Sequence, residues 1–597
     1  MSGAEAAFVL GVRRSAGGRA WLWRDAALTE SGARAGLAVA QRADVPEFIG
    51  RILAARGIPA ERAAAFLEPR LRDWLPDPSC LKGMDEAAAR LARAVREREC
   101  VGIFGDYDVD GACGTALLAL VLRELGCRVE THIPDRMAEG YGPNAAALEG
   151  LIGRGADLLL CVDCGTAAAA ILDPFAGRRD MLVLDHHKPD GAILPRGVVV
   201  NPNRLDCASG LGALCATGVA FLTLVALLRQ LRADGAFAER APPDLLRHLD
   251  LVALATICDV MPLQGLNRAF VAQGLRVLGR GERLGLATLA SVAMVRDMAS
   301  AMACGYAFGP RINAGGRIAE ADLGVRLLLA EDAFEARQLA EKLDEVNRKR
   351  QTVESHILDA AVEAAAAQCA AGRGVLFLHG ESWHPGVVGI VAGRIRERFN
   401  RPVLVGAAAG GIIKGSGRSV AGIDLGAAVI AARQAGLLLT GGGHAMAAGF
   451  SLAESGAAAV HDFLDERLAA ARDLPAAEAL VCDGVVSLRG ANGALAAQIA
   501  RLAPFGAGND EPVLALPRLR CVRTERIGKD GATLRVTLQG EEGGRLRGLV
   551  FRAGEKAFAA LLEDPSMPVI HVAGHLRGEI WQERETLTFF IADAALA

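Results

Sequence analysis

The sequence has few aromatic residues, no long apolar run and no excess of charge of one sign. Aromatic side chains make up 5% of the 597 residues, so most of them are expected in the core. The longest apolar run beside a predicted helix, Val219 to Leu228, ends at Arg229, well short of the ~20 residues that a membrane span needs. The net charge is −3, so binding to a phosphate backbone would require basic residues concentrated in a groove. We therefore expect a soluble protein with no membrane partner.

Cysteine usage indicates a reduced compartment. The 13 cysteines are an odd, scattered set, which argues against a disulfide framework. Cys161 and Cys164 form a C-x-x-C pair, but without a second pair they are better explained as structural thiols than as a zinc or redox site. No basic segment precedes a sustained apolar stretch at the N-terminus, because Arg13 and Arg14 follow Phe8-Val9-Leu10. No export signal is visible, so the cytoplasm is the expected location.

Length and patterning indicate several ordered domains. At roughly 150 residues per domain, 597 residues suggest about four domains. From residue 100 to 200, short apolar runs alternate with helical patterns, which predicts βαβ units and a parallel sheet. The predicted strands are Cys100–Phe104, Val129–Ile133, Leu158–Val162, Met181–Leu184 and Val198–Val200. The predicted helices are Ala112–Leu125 and a longer stretch from Gly218 through Leu231 and Asp244 to Ile257.

Three further regions follow. A charged helical pattern over roughly Ala333 to Ala371 predicts a solvated connecting helix. A second α/β region begins near Gly374, with a strand Val375–His379, a helix from about Gly386 to Phe399, and strands around Val403 and Ile412. After Pro504-Phe505-Gly506, five short strands predict a small barrel of the oligonucleotide-binding type. These strands are Leu516–Arg523, Thr533–Leu538, Leu546–Phe551, Val569–Leu576 and Leu587–Ile591.

Acidic residues and histidines follow three predicted strands at their carboxyl ends. They are Asp106, Asp108 and Asp110 after the first strand, Asp163 after the third, and Asp185, His186 and His187 after the fourth. The carboxyl ends of parallel strands form the edge of an open sheet at which ligands bind. A single aspartate after a strand is more often a helix cap, but three strands that end in this way favour one shared site.

The residue types in this cluster suit a divalent metal ion. In D-Y-D-V-D-G (106–111) the carboxylates alternate, so two or three can converge on one point if the segment stays extended. An EF-hand loop begins similarly, but after Gly111 no glutamate stands at the last ligand position, which excludes a calcium loop. Mixed carboxylate and imidazole ligands suit Mn²⁺ or Mg²⁺. Two such ions about 4 Å apart can activate a water and stabilise a phosphoryl oxygen, so we expect hydrolysis of a phosphate ester or anhydride.

Nine motifs then carry a resemblance to a known family. They are G-D-Y-D-V-D-G (105–111), V-D-C-G-T (162–166), D-H-H (185–187), A-T-I-C-D-V-M-P-L (255–263), G-P-R-I-N-A-G-G-R (309–317), W-H-P-G-V-V-G-I-V-A (383–392), K-G-S-G-R-S (414–419), G-G-G-H-A-M-A-A-G (441–449) and P-F-G-A-G-N (504–509). In this order they resemble the RecJ exonucleases of the DHH phosphoesterase superfamily, from about residue 66 to the C-terminus. Nine ordered motifs are far more specific than D-H-H alone.

The resemblance implies a role for each residue of the cluster. The expected metal ligands are Asp106, Asp108, Asp163, His186 and Asp259, and the expected catalytic residues are Asp110, Asp185 and His187. Asp163 would bridge two ions, and His187 would contact the scissile phosphate or its leaving group. Asp185 would orient a histidine. Which two carboxylates of the first motif bind directly is left open, and Asp259 is identified only by the resemblance.

One position departs from the superfamily pattern. Other branches begin the first motif with a histidine four residues before Asp106, and here that position is Gly102. The first metal is therefore expected to have fewer protein ligands.

Donors that suit a phosphate backbone occur in the second half of the chain. Gly441-Gly442-Gly443-His444 indicates a turn that approaches a phosphate and then enters a small-residue helix, although a Gly-rich loop with a core histidine is equally compatible. The resemblance favours nucleotide contact by this motif. The expected substrate-binding residues are Arg311, Asn313, Arg317, Trp383, His384, Lys414, Ser416, Arg418, Ser419, Gly442, Gly443 and His444. Trp383 could also be a core residue, and in the barrel Phe551, Arg577 and Trp581 are possible strand-binding groups.

The predicted fold class is α/β. The predicted domains are an N-terminal helical and loop segment (1–90), a DHH parallel-sheet catalytic domain (91–330), a connecting helix (331–372), a smaller α/β DHHA1 substrate-binding domain (373–475) and an OB-like nucleic-acid-binding domain (476–597). The DHH domain and the DHHA1 domain are expected to form a cleft.

The resemblance implies a 5′-to-3′ exonuclease that is specific for single-stranded DNA, in recombination and repair. It would use two Mn²⁺ or Mg²⁺ ions and act as a monomer, with a single-stranded-DNA-binding protein and a helicase as protein partners. One alternative is hydrolysis of oligoribonucleotides or cyclic dinucleotides, as in smaller relatives that lack the connector and barrel. Another is a non-catalytic replication scaffold, which the complete set of acidic residues and histidines argues against.

Overall fold

The computed structural model describes residues 8–24, 30–136, 139–189, 191, 193–475, 477–528, 530–581 and 584–597. Contacts between residues divide the chain into two units. One comprises Pro69–Val353 and Pro504–Asp510, and the other comprises Met1–Glu68, Glu354–Ala503 and Glu511–Ala597.

The N-terminal residues form helices and one short strand. These are β1 (Trp21–Trp23), α1 (Glu30–Ala43), α2 (Glu47–Ala55) and α3 (Ala60–Leu67). β1 pairs in parallel with Leu480–Cys482, far along the chain. Only helix and loop were expected in this region. The strand β1 was not predicted, because a run of three residues is too short to display an alternating pattern.

Five parallel strands form the sheet of the unit that contains Pro69–Val353. They are β2 (Cys100–Gly105), β3 (Arg128–His132), β4 (Leu158–Val162), β5 (Asp180–Leu184) and β6 (Val198–Val200). Their order is β3-β2-β4-β5-β6, and all neighbouring pairs are parallel. Every residue of β2 and β4 is buried, which explains why these strands are continuous apolar runs without alternation. The predicted strands and the parallel sheet are confirmed.

Helices cover this sheet and extend beyond it. They are α4 (Met84–Glu97), α5 (Val109–Glu124), α6 (Ala145–Gly153), α7 (Ala169–Leu172), α8 (Ala216–Ala233), α9 (Leu249–Cys258), α10 (Gly265–Leu278), α11 (Leu284–Val292), α12 (Gly309–Ile318), α13 (Leu323–Leu329) and α14 (Ala333–Ala370). A π-helical segment, Ala303–Phe308, leads directly into α12. The long helix predicted as a connector is confirmed as α14, and the boundary between the two units falls within it.

The helix α8 is long and apolar enough to cross a membrane by length and composition alone. It is the one such helix among the described residues, and 72% of its apolar window is buried inside the protein. Its apolar side chains belong to the same core as those of α5 and the sheet.

A second, mixed sheet lies in the other unit. It contains β7 (Leu376–Gly380), β8 (Val403–Ala409), β9 (Ile412–Arg418), β10 (Thr440–His444) and β11 (Ala447–Ala453), with helices α15 (Val388–Phe399), α16 (Leu425–Gln434) and α17 (Ala457–Arg467). The order is β10-β11-β9-β8-β7, and only β7 and β8 are parallel. The predicted α/β region is thereby confirmed.

The expectation of a small-residue helix after His444 was wrong. The Gly-rich segment forms the hairpin β10–β11, and β11 also pairs with β9, so these residues are part of the sheet. The backbones approach so closely that a Cβ on Gly443, at φ +151°, would overlap the backbone of Ala447 and Ala448. Glycine is thus required at position 443 for close strand packing, which a composition-based helix prediction cannot detect.

The C-terminal residues form the predicted barrel. The strands are β12 (Leu480–Cys482), β13 (Gly484–Val485), β14 (Leu514–Ile527), β15 (Thr533–Gly540), β16 (Arg545–Val550), β17 (Ile570–Trp581) and β18 (Arg584–Leu596), and the helices are α18 (Gly493–Ala500) and α19 (Ala559–Leu562). The five strands β14-β15-β16-β18-β17 close into a ring because β17 pairs back to β14. Alternating burial along β15 gives the barrel its inner and outer faces.

A buried carboxylate joins the N-terminal residues to the barrel. Asp593 in β18 is fully buried and accepts hydrogen bonds from the Ser15 hydroxyl at 2.6 Å and the Trp21 indole N–H at 2.9 Å.

Candidate metal centre and substrate-binding residues

The carboxyl ends of β2 and β4 lie at the point where the sheet changes direction. From β2 the chain adds β3 on one side and then crosses to add β4, β5 and β6 on the other. Such a switch point opens a crevice, which is the usual ligand site of an open α/β sheet. Asp106 follows β2 and Asp163 follows β4, and oxygens of these two carboxylates lie within 4.8 Å of each other.

The first motif is held in a tight turn between β2 and α5. The Asp108 carboxylate caps α5 by accepting from the N–H groups of Asp110 and Gly111 at 2.9 and 3.1 Å. A Cβ on Gly111 would overlap the backbone of Asp106, so only glycine permits this turn. The side chain of Asn313 accepts from the Val109 N–H at 3.1 Å, which fixes the start of α5.

Asp110 differs from its two neighbours in the motif because it lies inside the first turn of α5. Its carboxylate accepts from the N–H groups of Ala216 and Thr217 at 2.6 and 2.8 Å, at the N-terminus of α8. It also lies 3.9 Å from Nε2 of His186. Asp110 therefore ties the first motif to α8 at the edge of the cluster.

Asp163 is held in a strained conformation at the centre of the site. Its φ is +63°, in the left-handed region that costs free energy for residues other than glycine. Its Oδ1 lies 3.3 Å from Nε2 of His186, and Oδ2 of Asp259, the residue that caps the C-terminus of α9, lies 3.5 Å from the same nitrogen. The imidazole of His186 thus lies between carboxylates from two separate elements.

The cluster contains three overlapping sets of potential metal ligands. They are Asp106, Asp108 and Asp163; Asp110, His186 and Asp259; and Asp163, His186 and His187. Within each set the ligand atoms lie within 4.8 Å of one another. Asp163 and His186 each occur in two of the sets.

The electrostatics of the cluster fit a divalent cation. Oδ1 of Asp106, Oδ1 of Asp163 and Oδ2 of Asp259 are buried and have no hydrogen-bond partner among the described residues. Burial, and then the neighbouring carboxylates, raise the pKa of Asp106 and of Asp259 to about 8 and that of Asp163 well above its usual value. Buried carboxylates without cationic partners are costly, and a bound Mn²⁺ or Mg²⁺ would supply the missing charge.

The D-H-H turn places its first and last residues in one hydrogen-bonded pair. Oδ1 of Asp185 accepts from Nδ1 of His187 at 2.8 Å and from the His186 N–H at 2.7 Å, and its Oδ2 accepts from the Thr166 N–H at 3.0 Å. Burial alone would raise the pKa of Asp185, but these hydrogen bonds lower it well below its usual value. The same pairing outweighs desolvation and raises the pKa of His187 to about 9, so its imidazole is charged at neutral pH.

Two asparagines that the sequence analysis missed hold the D-H-H backbone. The amide of Asn201, which is fully buried, donates to the His187 carbonyl and the Thr166 hydroxyl, both at 2.8 Å. The amide of Asn203 donates to the His186 carbonyl at 2.6 Å. The N-P-N string directly after β6 is the signal that could have identified them, since β6 ends at the same sheet edge.

Two tyrosines beside the cluster were also missed. The Tyr141 hydroxyl lies 3.3 Å from Nε2 of His187, and its ring lies edge-on to that of Tyr107 at 6.4 Å. The Arg136 guanidinium lies over the Tyr107 ring at 5.1 Å. Only three tyrosines occur in the chain, and the position of Tyr107 inside the first motif was a usable signal.

The environment of Gly102 explains the departure from the superfamily pattern. A Cβ at this position would lie 2.8 Å from the Cβ of Ala156 and 3.3 Å from that of Leu151. A histidine could not be accommodated without moving the helix that packs on β2. The set of potential ligands nearest this position, Asp106, Asp108 and Asp163, consists of carboxylates alone.

The G-P-R-I-N-A-G-G-R motif forms α12, which packs on the first motif. A Cβ on Gly316 would lie 2.7 Å from the Tyr107 carbonyl oxygen. Arg317 follows Gly316 in α12. Burial lowers the pKa of its guanidinium to about 10, and the neighbouring Arg136 and Arg350 contribute to this shift. Arg311 has a different environment, because its guanidinium pairs with Asp344 of α14 at 2.9 Å.

In the other unit, three predicted substrate-binding residues share one face of β9. Lys414, Ser416 and Arg418 occupy alternate positions, and neighbouring Gly389 at the start of α15 is so close that a Cβ there would lie 3.3 Å from the Ser416 hydroxyl. A helix N-terminus beside a hydroxyl and a guanidinium suits a phosphate group. Ser419 is buried instead, and its hydroxyl donates to the Ile423 carbonyl at 2.7 Å.

The remaining predicted residues of this unit lie at strand ends and turns. His444 is exposed at the end of β10, whose Gly442 and Gly443 pair with Gly449 and Ala448 of β11. Trp383 is half-buried in the turn before α15, and Nδ1 of His384 accepts from the Gly386 N–H at 3.1 Å.

Two possible strand-binding groups of the barrel, Phe551 and Arg577, both contact the ring of Phe590. Phe551 is 56% exposed and stacks on Phe590, and the Arg577 guanidinium lies over Phe590 at 4.7 Å while pairing with Glu511. The side chain of Trp581 lies outside the described residues. The thiols of Cys161 and Cys164 are free and fully buried, as expected of structural cysteines.

Comparison with known proteins agrees with this geometry. Residues 100–256 match the DHH family, N-terminal domain; residues 367–472 match the DHHA1 domain; and residues 482–593 match the RecJ OB domain. The single-stranded-DNA-specific exonuclease RecJ of Dickeya dadantii is 42% identical over 425 residues, which are 69% of this chain and 73% of the relative. The protein of the same name from Bacillus subtilis is 34% identical over 567 residues, 93% of this chain and 68% of the relative.

A solved structure extends the similarity to three dimensions. The crystal structure of RecJ in complex with Mn²⁺ from Thermus thermophilus matches with a TM-score of 0.77 and 32% identity, covering 94% of this chain and 78% of that chain. The Mg²⁺ complex from the same organism matches with a TM-score of 0.72. The chain therefore belongs to the RecJ family of DHH phosphoesterases.

Proposed function

We propose that this chain is a single-stranded-DNA-specific exonuclease that removes nucleotides from the 5′ end in DNA recombination and repair. The observation that carries the proposal is the cluster at the sheet switch point, where Asp106, Asp163 and Asp259 each leave a buried carboxylate oxygen without a hydrogen-bond partner among the described residues. The named relatives act on single-stranded DNA, and the family matches include a nucleic-acid-binding type of barrel.

The cluster supplies the groups that phosphodiester hydrolysis needs. Asp106, Asp108, Asp163, His186 and Asp259 would hold two ions of Mn²⁺ or Mg²⁺. When bound, such ions lower the pKa of a water and neutralise charge on the phosphoryl oxygens.

His187 provides the acidic group. Its imidazole carries a proton at neutral pH because Asp185 holds Nδ1 at 2.8 Å, and its ring is partly exposed beside the carboxylates. We assign His187 to the leaving oxygen of the scissile bond, to which it donates a hydrogen bond or a proton. Asp185 acts through His187 by fixing the orientation and charge of the imidazole.

Residues of the second α/β domain bind the strand in this proposal. Lys414, Ser416 and Arg418 on β9 and the N-terminus of α15 offer charged and neutral donors for phosphate oxygens. His444 and the backbone of Gly442 and Gly443 contact a nucleotide. Arg317, close to Tyr107 in the first motif, serves the same purpose near the metals.

The wider setting is proposed from family membership and the sequence. The enzyme acts as a monomer in the cytoplasm, together with a single-stranded-DNA-binding protein and a helicase. The long helix α14 and the closed barrel favour a DNA exonuclease over the smaller phosphodiesterases that the sequence analysis considered. The complete acidic cluster favours an enzyme over a binding scaffold.

The test is a strand-polarity assay with a matched inactive variant. Purified protein with Mn²⁺ is offered 5′-labelled single strands, 3′-labelled single strands and duplex. We expect release of the 5′-terminal nucleotide from single strands only, and release by Asp163→Asn that is slower by roughly 10²- to 10³-fold or more. Asparagine is the appropriate substitution because it tolerates the left-handed φ of this position. Cleavage from the 3′ end, or full activity of Asp163→Asn, would contradict the proposal.

A further inference from the structure

Two accessible cysteines lie on neighbouring segments beside the loop that follows β6. Cys80 is exposed at the end of the short turn before α4, and Cys207 is half-buried in the loop after β6. Most of the other cysteines of the chain, such as Cys113 and Cys215, are buried. Small solutes can therefore reach these two thiols, which lie outside the ligand sets of the metal cluster.

Backbone packing brings the two segments together. A Cβ on Gly83 would lie 2.8 Å from the carbonyl oxygen of Val199, and the same oxygen accepts a hydrogen bond from the Arg204 guanidinium at 2.5 Å. Cys207 packs against the core cluster that contains Leu81. The segment before α4 therefore lies directly against the loop after β6.

The surroundings of Cys207 favour its ionised form. Its Sγ lies 3.3 Å from the Ser209 hydroxyl. Burial alone would raise the pKa of this thiol, but hydrogen bonds from the Lys82 N–H and from Ser209, together with the Arg204 guanidinium, lower it below its usual value. By contrast, burial raises the pKa of the Cys304 thiol. The thiolate is the form of cysteine that attacks an oxidant, so Cys207 is the reactive member of the pair.

Cys80 has the properties of the partner that reacts second. Burial, and then the charges of Cys207 and Asp77, raise the pKa of its thiol. The charge of Cys207 acts on Cys80 because the two thiols are close, since interactions between accessible charges are screened over about 10 Å. Oxidation of Cys207 to a neutral sulfenic acid would remove that charge. Cys80 would then become more acidic at the step in which its sulfur must act as a nucleophile.

We propose that Cys207 and Cys80 form a peroxide-reactive pair that closes into a reversible disulfide between the loop after β6 and the segment before α4. The Cys207 sulfur attacks a hydroperoxide and the O–O bond breaks. Cys207 becomes a sulfenic acid, and the departing oxygen takes up the proton that the thiol had released to solvent.

The second step forms the disulfide. The Cys80 sulfur attacks the Cys207 sulfur, the S–O bond breaks, and the departing hydroxide takes the Cys80 proton and becomes water. The two sulfurs together lose two electrons, and the hydroperoxide gains them. In a reducing compartment such a disulfide is transient, and thiols reverse it.

The loop after β6 connects this pair to the metal cluster. Asn201 in the same loop donates to the His187 carbonyl, and Asn203 donates to the His186 carbonyl. Bonded sulfurs are about 2.05 Å apart, so a disulfide at Cys207 must draw the loop towards the segment before α4. We therefore expect oxidation to weaken Mn²⁺ binding. This consequence rests on the proposed metal centre, whereas the disulfide does not.

The experiment treats the metal-free full chain with hydrogen peroxide and removes the excess with catalase. Free thiols are then alkylated, and the protein is digested with trypsin without reductant. We expect the peptides 73–82 and 205–229 to be linked by a disulfide that dithiothreitol reverses. Tandem mass spectrometry distinguishes Cys207 from Cys215, which lies in the same peptide.

Three variants test the order of the two steps. Cys207→Ser is expected to give no linked peptides, and Cys80→Ser is expected to leave a sulfenic acid at Cys207 that dimedone traps. The matched control, Cys369→Ser, removes another half-buried cysteine and is expected to give the linked peptides as in the wild type. Circular dichroism verifies that each variant is folded, and alanine replaces serine in any variant that is not.

Titration calorimetry measures the effect on the metal centre without turnover. The oxidised wild type is expected to bind Mn²⁺ roughly tenfold more weakly than the reduced protein, and peroxide-treated Cys207→Ser is expected to bind like its untreated form. The pair is overturned if the folded wild type gives no linked peptides or if Cys207→Ser still gives them. Equal Mn²⁺ affinity of the oxidised and reduced wild type overturns the connection to the metal centre. The linked peptides are detected without metal or DNA, so their absence is distinct from a failure of the proposed nuclease.

Discussion

The side-chain amide of Asn203 donates a hydrogen bond to the main-chain carbonyl of His186 over 2.6 Å. The same amide also donates to the Gly212 carbonyl at 3.0 Å, and the Asn203 N–H donates to the side chain of Asn201 at 2.7 Å. The loop after β6 thus forms a hydrogen bond to the backbone of His186, a predicted metal ligand. Outer groups of this kind set the orientation of the ligand that they hold.

Replacing Asn203 by alanine is expected to weaken metal binding. The His186 carbonyl would lose its partner, and the imidazole would lose its fixed orientation between Asp163 and Asp259. We expect Mn²⁺ affinity and nuclease activity to fall by about 10- to 100-fold. Titration calorimetry with Mn²⁺ measures the affinity directly, independently of turnover.

A cap elsewhere provides the control for Asn203. Asn492 accepts from the Leu495 N–H at the start of α18, so Asn492→Ala should cost about 1 kcal/mol of stability and leave Mn²⁺ affinity unchanged. Equal losses of Mn²⁺ affinity in both variants would refute a specific role for Asn203.

Replacing Asp163 by asparagine should have opposite effects on activity and on metal-free stability. Activity should fall by roughly 10²- to 10³-fold or more, since a group needed in the transition state is lost. In the metal-free protein, Asp163 is buried among like charges, so its neutral replacement should raise the melting temperature. Mn²⁺ should then stabilise the wild type far more than the variant. Thermal unfolding with and without Mn²⁺ measures both effects, and equal Mn²⁺ stabilisation of the two proteins would contradict the assignment.

Lys414 provides a test of DNA contact by the second α/β domain. This side chain is exposed on the face of β9 that carries Ser416 and Arg418. If it contacts one phosphate, Lys414→Gln should weaken single-strand binding and reduce the slope of log affinity against log salt by about 0.7. Lys349, which pairs with Glu345 on α14, is the matched control. An unchanged salt slope would remove Lys414 from the DNA interface.

The buried His248 should make stability depend on pH. Burial, and then the neighbouring Arg283, lower its pKa from 6.5 to about 4, so the folded protein keeps this imidazole neutral. Below pH 6.5 the unfolded chain takes up a proton that the folded chain refuses, so the free energy of unfolding falls as the pH falls towards 4. The loss attributable to His248 should approach about 3 kcal/mol.

The variant His248→Gln isolates this contribution. Urea unfolding across the same pH range should show a shallower decline for the variant than for the wild type. Parallel curves for the two proteins would show that His248 does not carry the pH dependence.

Much of the fold could be predicted from the sequence because the elements are locally consistent. The strands β2 and β4 are buried on both faces and appear as unbroken apolar runs. The helix α14 was predictable because charged residues recur along its length. Prediction failed where packing decided the conformation. The segment after His444 has helix-compatible residues but forms a strand because it pairs with two neighbours in the sheet.

The metal cluster was predictable only in part. Asp106, Asp163 and Asp185 follow strands at one sheet edge, which a pattern of runs and turns indicates. Asp259 enters the cluster from the end of a helix, and no local signal distinguishes it from an ordinary polar residue after a helix. Asp110 is a neighbour of His186 and a partner of the α8 N-terminus, and these two contacts join residues 76 and 106 positions apart.

The hydrogen bond from Ser15 to Asp593 also has a consequence for biosynthesis. The two residues are 578 positions apart. Because ribosomes add roughly 5–20 residues per second, Asp593 is synthesised about half a minute to two minutes after Ser15. The strand β1 likewise cannot pair until Leu480–Cys482 has been synthesised. During that interval the apolar residues around β1, such as Val9 and Trp21, are without their final cover and available to chaperones.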